Sequence, residues 1–146
     1  MPTRKRKTTE ELINEIRGTD SAESFISKNR DEFIDKTLSD HINRMMEKYG
    51  VKKSELFRKA GLDGNNYAYE VVRGDKKNPS RDVVLRLCLA IPCDLDEVQQ
   101  ALRFAGKAPL YPRNKRDVFI MFAIKNALLP EELNDKLNEN GMKLLE

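Results

Sequence analysis

A chain of 146 residues holds one ordinary domain, or a small one with additions. With 35% charged and 39% hydrophobic residues, no Trp and few aromatics, it suits a small helical protein and offers little for alternating strands. Net charge is only +3, so bulk charge does not by itself mark a nucleic-acid partner, and no apolar stretch is long enough to cross a bilayer.

Residues 1–7, MPTRKRK, are basic but lack the apolar core of a secretory signal, so a cytoplasmic location is expected. They read as a solvated tail, or as an arm that follows phosphates or enters a minor groove. Thr8 and Glu11 make a capping-box pattern ahead of Leu12, Ile13 and Ile16, a short helix closed by Gly18. Phe25, Ile26, Phe33 and Ile34 then predict a second amphipathic helix over 21–36, or a broken pair.

Leu38, Ile42, Met45, Met46 and Tyr49 recur at helical spacing and form one apolar stripe. Thr37 and Asp40 can cap its start and Gly50 its end. His41, the chain's only histidine, falls on the polar side and is expected at the surface. A second helix over 54–60 turns Leu56, Phe57 and Ala60 inward. Gly61 stops it, Leu62 plugs the corner and Asp63 is placed to cap a third helix, carried by NNYAYEVVRG. Two short helices around a glycine turn form a helix-turn-helix, whose second helix can lie in a DNA major groove. Charge collects here: residues 51–81 hold Lys52, Lys53, Arg58, Lys59, Arg73, Lys76, Lys77 and Arg81 against Glu55, Asp63, Glu70 and Asp75.

The turn-rich DKKNPS leads to Ser80, a favoured N-cap, and to a fourth helix over 81–91 that is apolar nearly all round. Pro92 ends it. Asp94 and Glu97 make the next capping box, and Val98, Ala101, Leu102 and Ala105 give the fifth helix its buried face. Cys88 and Cys93 have no second pair and no nearby His, so they read as small buried hydrophobes rather than as zinc ligands. The two-proline connector KAPLYPR precedes a helix capped by Asn114 and Asp117, and Pro130 opens a last helix closed by Gly141. This hairpin, like the N-terminal helices, carries apolar faces that either pack on the chain's own core or form an interface, with a second copy of the chain or with another protein.

The stretch from Lys52 to Val98 resembles the lambda-repressor-like (Cro-repressor, XRE-type) helix-turn-helix family. The features that carry it are Leu56, the Gly61-Leu62 corner, the Gly74 stop, the Asn78-Pro79-Ser80 loop, the Leu-rich fourth helix and the run from Asp94 to Val98. With its flanks, roughly Leu38 to Ala105, the resemblance covers about half the chain. The resemblance implies an all-α fold, a five-helix bundle with additional N-terminal and C-terminal helices, divided 1–37, 38–107 and 108–146. It also implies a sequence-specific double-stranded DNA-binding transcriptional regulator, in which the loop before the fourth helix faces the DNA backbone.

Phosphate contacts are then expected from Lys52, Lys53, Lys76, Lys77, Ser80 and Arg81, and base contacts from Asn65 and Asn66, with Asn65 equally placed to cap the helix beside Asp63. Tyr67, Tyr69 and Arg73 are placed to touch bases, methyl groups or phosphates. An asparagine amide matches the major-groove edge of adenine. The departures are Lys52-Lys53 where the family often has Thr-Gln, Phe57 where it usually has Ala, and one extra residue between Gly61 and Gly74. They motivate an alternative, a protein-interaction module that kept the fold and no longer reads DNA. No Ser/His/Asp set, Cys/His pair, phosphate-cradling Gly loop or metal cluster suggests an enzyme or a cofactor.

Overall fold

The computed structural model describes residues 7–33, 37–76 and 78–146. The expectations placed on residues 1–6, Ile34 and Lys77 lie outside them. Among the described residues every regular element is helical, and the chain divides into two compact units, 1–36 and 37–146.

The first unit contains α1 (Thr9–Arg17), α2 (Ala22–Lys28) and a single 3-10 turn, Arg30–Phe33. The second amphipathic segment is therefore broken, and Asn29 at the break explains how it holds together. Asn29 is buried, and its amide donates to Glu15 Oε2 (2.8 Å) and Phe25 O (3.0 Å) while accepting from Lys7 Nζ (2.7 Å). The Phe25 and Phe33 rings meet edge to face. Thr8 caps α1 by accepting from Glu11 N.

The second unit begins with α3 (Leu38–Tyr49), α4 (Lys53–Ala60), α5 (Asn66–Arg73), α6 (Arg81–Leu89) and α7 (Leu95–Phe104). Ile42 and Met45 of α3, Leu56 and Phe57 of α4, Val71 of α5, Leu85 and Leu87 of α6, and Leu102 of α7 are buried together. Each such side chain contributes roughly 1.5–3 kcal/mol by leaving water, which is what holds helices this short. The capping box of Asp94 and Glu97 forms in both directions. His41 is the correction in this core. It is buried, its Nε2 donates to Glu97 O at 2.9 Å and its ring tilts against Phe104, so one backbone carbonyl of α7 makes an inward position suitable for a polar ring.

α8 (Lys115–Lys125) and α9 (Pro130–Glu139) form the expected hairpin, and they belong to the same compact unit as the five helices. Ile120 and Ala123 of α8 and Leu133 and Leu137 of α9 join the common core. The junction of α6 with α8 is ionic. Arg81 of α6 forms a fork on Asp117 of α8 (3.0 Å for both bonds), and Arg116 of α8 forms a fork on Asp82 of α6 (3.2 and 3.0 Å). The same tripeptide, Arg-Asp-Val, opens both helices, so two adjacent residues on each supply one cation and one anion to the other. Burial pushes the Asp82 carboxyl up, but the hydrogen bonds from Arg116 and from Glu146 N–H outweigh it and hold the group below its ordinary range.

Arg86 is the second polar anchor. Buried in a helix that otherwise reads as apolar, it donates to Ala60 O (3.0 Å) at the end of α4, to Leu145 O (2.9 Å) and to Glu146 O (2.7 Å). It thereby fixes the end of α4, and with it the turn that follows.

Candidate nucleic-acid interface

The turn between α4 and α5 starts at Gly61, whose φ of +71° suits glycine, and a Cβ there would come within 2.9 Å of Arg86 Nη1. Leu62 is buried and plugs the corner. Asp63 and Gly64 are exposed in the turn, and the helix begins at Asn66. Asn65, not Asp63, is the N-cap, its Oδ1 accepting from Ala68 N at 3.1 Å. Asn65 thus has a structural role, and Asn66 is the first helical residue.

α5 is held from the α3 side. Ser39 Oγ donates to Val72 O at 2.6 Å, Asn43 Nδ2 donates to the same carbonyl at 3.0 Å, and a Cβ on Gly74 would touch Ser39 at 3.3 Å. With Ala68, Val71 and Val72 buried, the opposite side of the helix is turned outward. Asn66, Tyr69 and Arg73 lie there at i, i+3 and i+7, all exposed, in one stripe along the helix.

Phe57 packs under this stripe. Its buried ring lies 3.9 Å, centroid to centroid, from that of Tyr69, so a ring pair occupies the contact between α4 and α5. Half of Tyr69 is therefore scaffold and its outer edge is surface. Tyr67 also turns partly inward, its hydroxyl donating to Asn78 O at 3.3 Å.

Residues 41–99 match the family of the Cro/C1-type helix-turn-helix DNA-binding domain. The chain carries that domain. No curated protein matches the chain, and no solved structure does. The Cro/C1-type match runs from α3 into α7, so α4 and α5 are its helix-turn-helix pair and α8 and α9 follow it.

Around the pair, the expected phosphate partners divide into two sets. Lys52, at the cap position of α4, and Lys53, in its first turn, are exposed, as is Lys76. Arg73 Nη2 lies 3.0 Å from Asp75, with both side chains about 60% exposed, and Lys76 Nζ lies 3.9 Å from Glu70. Ser80 and Arg81 have structural partners instead. Ser80 Oγ accepts from Val83 N at 3.2 Å, and Arg81 donates to Asp117 and to the carbonyls of Ala108 and Pro109.

Arg86 and the reciprocal Arg-Asp pairs were missed at the level of sequence. The signal that could have shown the pairs is the repeat of Arg-Asp-Val in the first turn of both helices, directly after the cap Ser80 in one case and one residue after the cap Asn114 in the other. For Arg86 the signal is a lone cation in the middle of a helix whose neighbours are all apolar.

Proposed function

We propose that the chain is a sequence-specific double-stranded DNA-binding regulator of transcription, and that α5 lies in the major groove. The observation that carries this reading is the outward stripe of Asn66, Tyr69 and Arg73 on a helix whose other side is pinned to the core. Asn66, unlike Asn65, begins the helix without being its cap, and its amide can present a donor and an acceptor to an adenine edge. Lys52, Lys53 and Lys76 supply backbone contacts that fix register. Ser80 and Arg81 act indirectly, by fixing the start of α6 and hence the position of the loop before it.

One observation favours the interaction-module alternative. Both cations at the end of α5 stand beside a carboxylate, Arg73 with Asp75 and Lys76 with Glu70, which lowers the positive potential there. These pairs are exposed and weak, each worth about 0–1 kcal/mol, so a phosphate can take the place of either carboxylate. Selection of bound fragments from random double-stranded DNA separates the readings. A regulator enriches one motif, and its affinity falls steeply with salt; an interaction module retains no motif.

A further inference from the structure

Beside the helix-turn-helix pair lies a groove of about 860 Å³, bounded by the α6–α7 turn on one side and by α8 and the α8–α9 turn on the other. That volume lies within the roughly 300–1,000 Å³ of small-molecule sites. Leu89, Ile91, Met121, Ile124 and Leu128 give it apolar walls. Its charges are unequal. Lys59 from α4 and Lys125 from α8 are cationic, while the one carboxylate, Asp94, already accepts from Glu97 N at 2.8 Å. Lys59 is held by Glu55 at 2.7 Å, but both side chains are about a third exposed, so the pair is screened and can be shared.

The wall at the end of α8 is a Schellman turn. Ala127, with a φ of +54°, donates to Ile124 O at 3.2 Å and Leu128 N donates to Ala123 O at 2.9 Å, which closes the helix and fixes the apolar Leu128.

We propose that this groove binds an amphipathic organic anion, an apolar chain bearing a carboxylate. The chain lies along Leu89, Ile91, Met121 and Leu128, and the carboxylate is met by Lys59 and Lys125. Occupancy bears on DNA reading through two links. Lys59 belongs to α4, and Glu131, two residues beyond the groove's Leu129, sits with Arg86 against Gly61 in the turn before α5. The ligand is therefore an effector, and this half of the proposal rests on the DNA-binding reading above.

The test uses the whole chain without DNA. The fluorescent apolar anion 1-anilinonaphthalene-8-sulfonate is bound first, and dodecanoate, dodecanol and dodecyltrimethylammonium compete with it. Dodecanoate is expected to displace it best. Lys59→Met and Lys125→Met should each weaken dodecanoate by roughly two- to fivefold and leave dodecanol unchanged. Leu95→Trp, at a lip position 37% exposed, should block the dye and the acid while the helical circular dichroism is retained. Equal competition by all three compounds, or lysine variants without effect, overturns the proposal. So does a dimer in sedimentation that Leu95→Trp dissociates, because the groove is then the seat of a second copy. Dodecanoate that binds but leaves the affinity for a selected DNA fragment unchanged overturns the effector half. Only this last arm uses DNA; the competition, variant and sedimentation outcomes do not depend on whether α5 reads DNA.

Discussion

The end of α5 and the start of α6 are separated by a few residues and use the same chemistry, yet they do opposite things with it. Arg73 and Asp75 meet at 3.0 Å with both side chains about 60% exposed. Arg81 and Asp117 also meet at 3.0 Å, but with side chains 24% and 7% exposed, through two parallel bonds and with two backbone carbonyls filling the rest of the guanidinium. The first pair costs little to open, so Arg73 remains available to a phosphate or a base edge. The second cannot open without leaving a carboxylate stranded in the interior. Distance alone does not tell a binding cation from a structural one; solvent access and the number of acceptors do.

The sharpest way to break this comparison is to remove the anion from each pair. Asp117→Ala should cost about 3 kcal/mol in urea unfolding, near the low end for a buried pair, because Arg81 keeps some access to water. Its twin, Asp82, adds a pH dependence. Its carboxyl is held below the usual range by Arg116 and Glu146 N–H against the opposing effect of burial, so its contribution is full above the ordinary carboxylate pKa and is lost as pH falls through the depressed one. Asp82→Asn should therefore lower stability at neutral pH and flatten the acid limb of a stability-against-pH curve.

Asn65→Ala comes next. Loss of the α5 cap should cost about 1 kcal/mol, seen as a lower melting temperature, with base preference unchanged. Asp75→Ala should shift stability by less than about 0.5 kcal/mol and strengthen DNA binding, since it releases Arg73. Lys76→Ala is the mildest change. It should weaken all sequences alike and lower the slope of log affinity against log salt by about 0.9, the value for one phosphate contact.

The helices were legible in the sequence because each carries its own punctuation. Thr37, Ser80, Asp94 and Asn114 cap as their spacing suggests, and Gly50, Gly61 and Gly74 stop the helices they follow. Burial of His41 was not legible, because a carbonyl from a helix more than fifty residues away satisfies it, and helical periodicity carries no news of such partners. The cap of α5 was left open between Asp63 and Asn65 for a related reason. Either residue can cap, and the turn through Gly64 decides between them by placing the helix start at Asn66. Arg81 looked available because its partner Asp117 lies on a helix beyond the Cro/C1-type domain. On α5 the sequence picked out the outward Asn66, Tyr69 and Arg73, since one helix seen alone suffices to place them, but it set beside them Asn65, which caps, and Tyr67, which is partly buried. It gave no sign that the Tyr69 ring rests on Phe57.

The central claim is that Asn66 reads a base while Asn65 only caps. The direct measurement is the affinity of the wild type, Asn66→Ala and Asn65→Ala for a selected DNA site and for each of its single-base variants, alongside thermal melting. The account predicts that Asn66→Ala relaxes preference at one base pair by about 1–3 kcal/mol and leaves melting nearly unchanged, while Asn65→Ala does the reverse. If Asn66→Ala leaves every single-base preference intact while Lys76→Ala still weakens binding, the protein holds DNA without this residue reading it, and the account of α5 is contradicted.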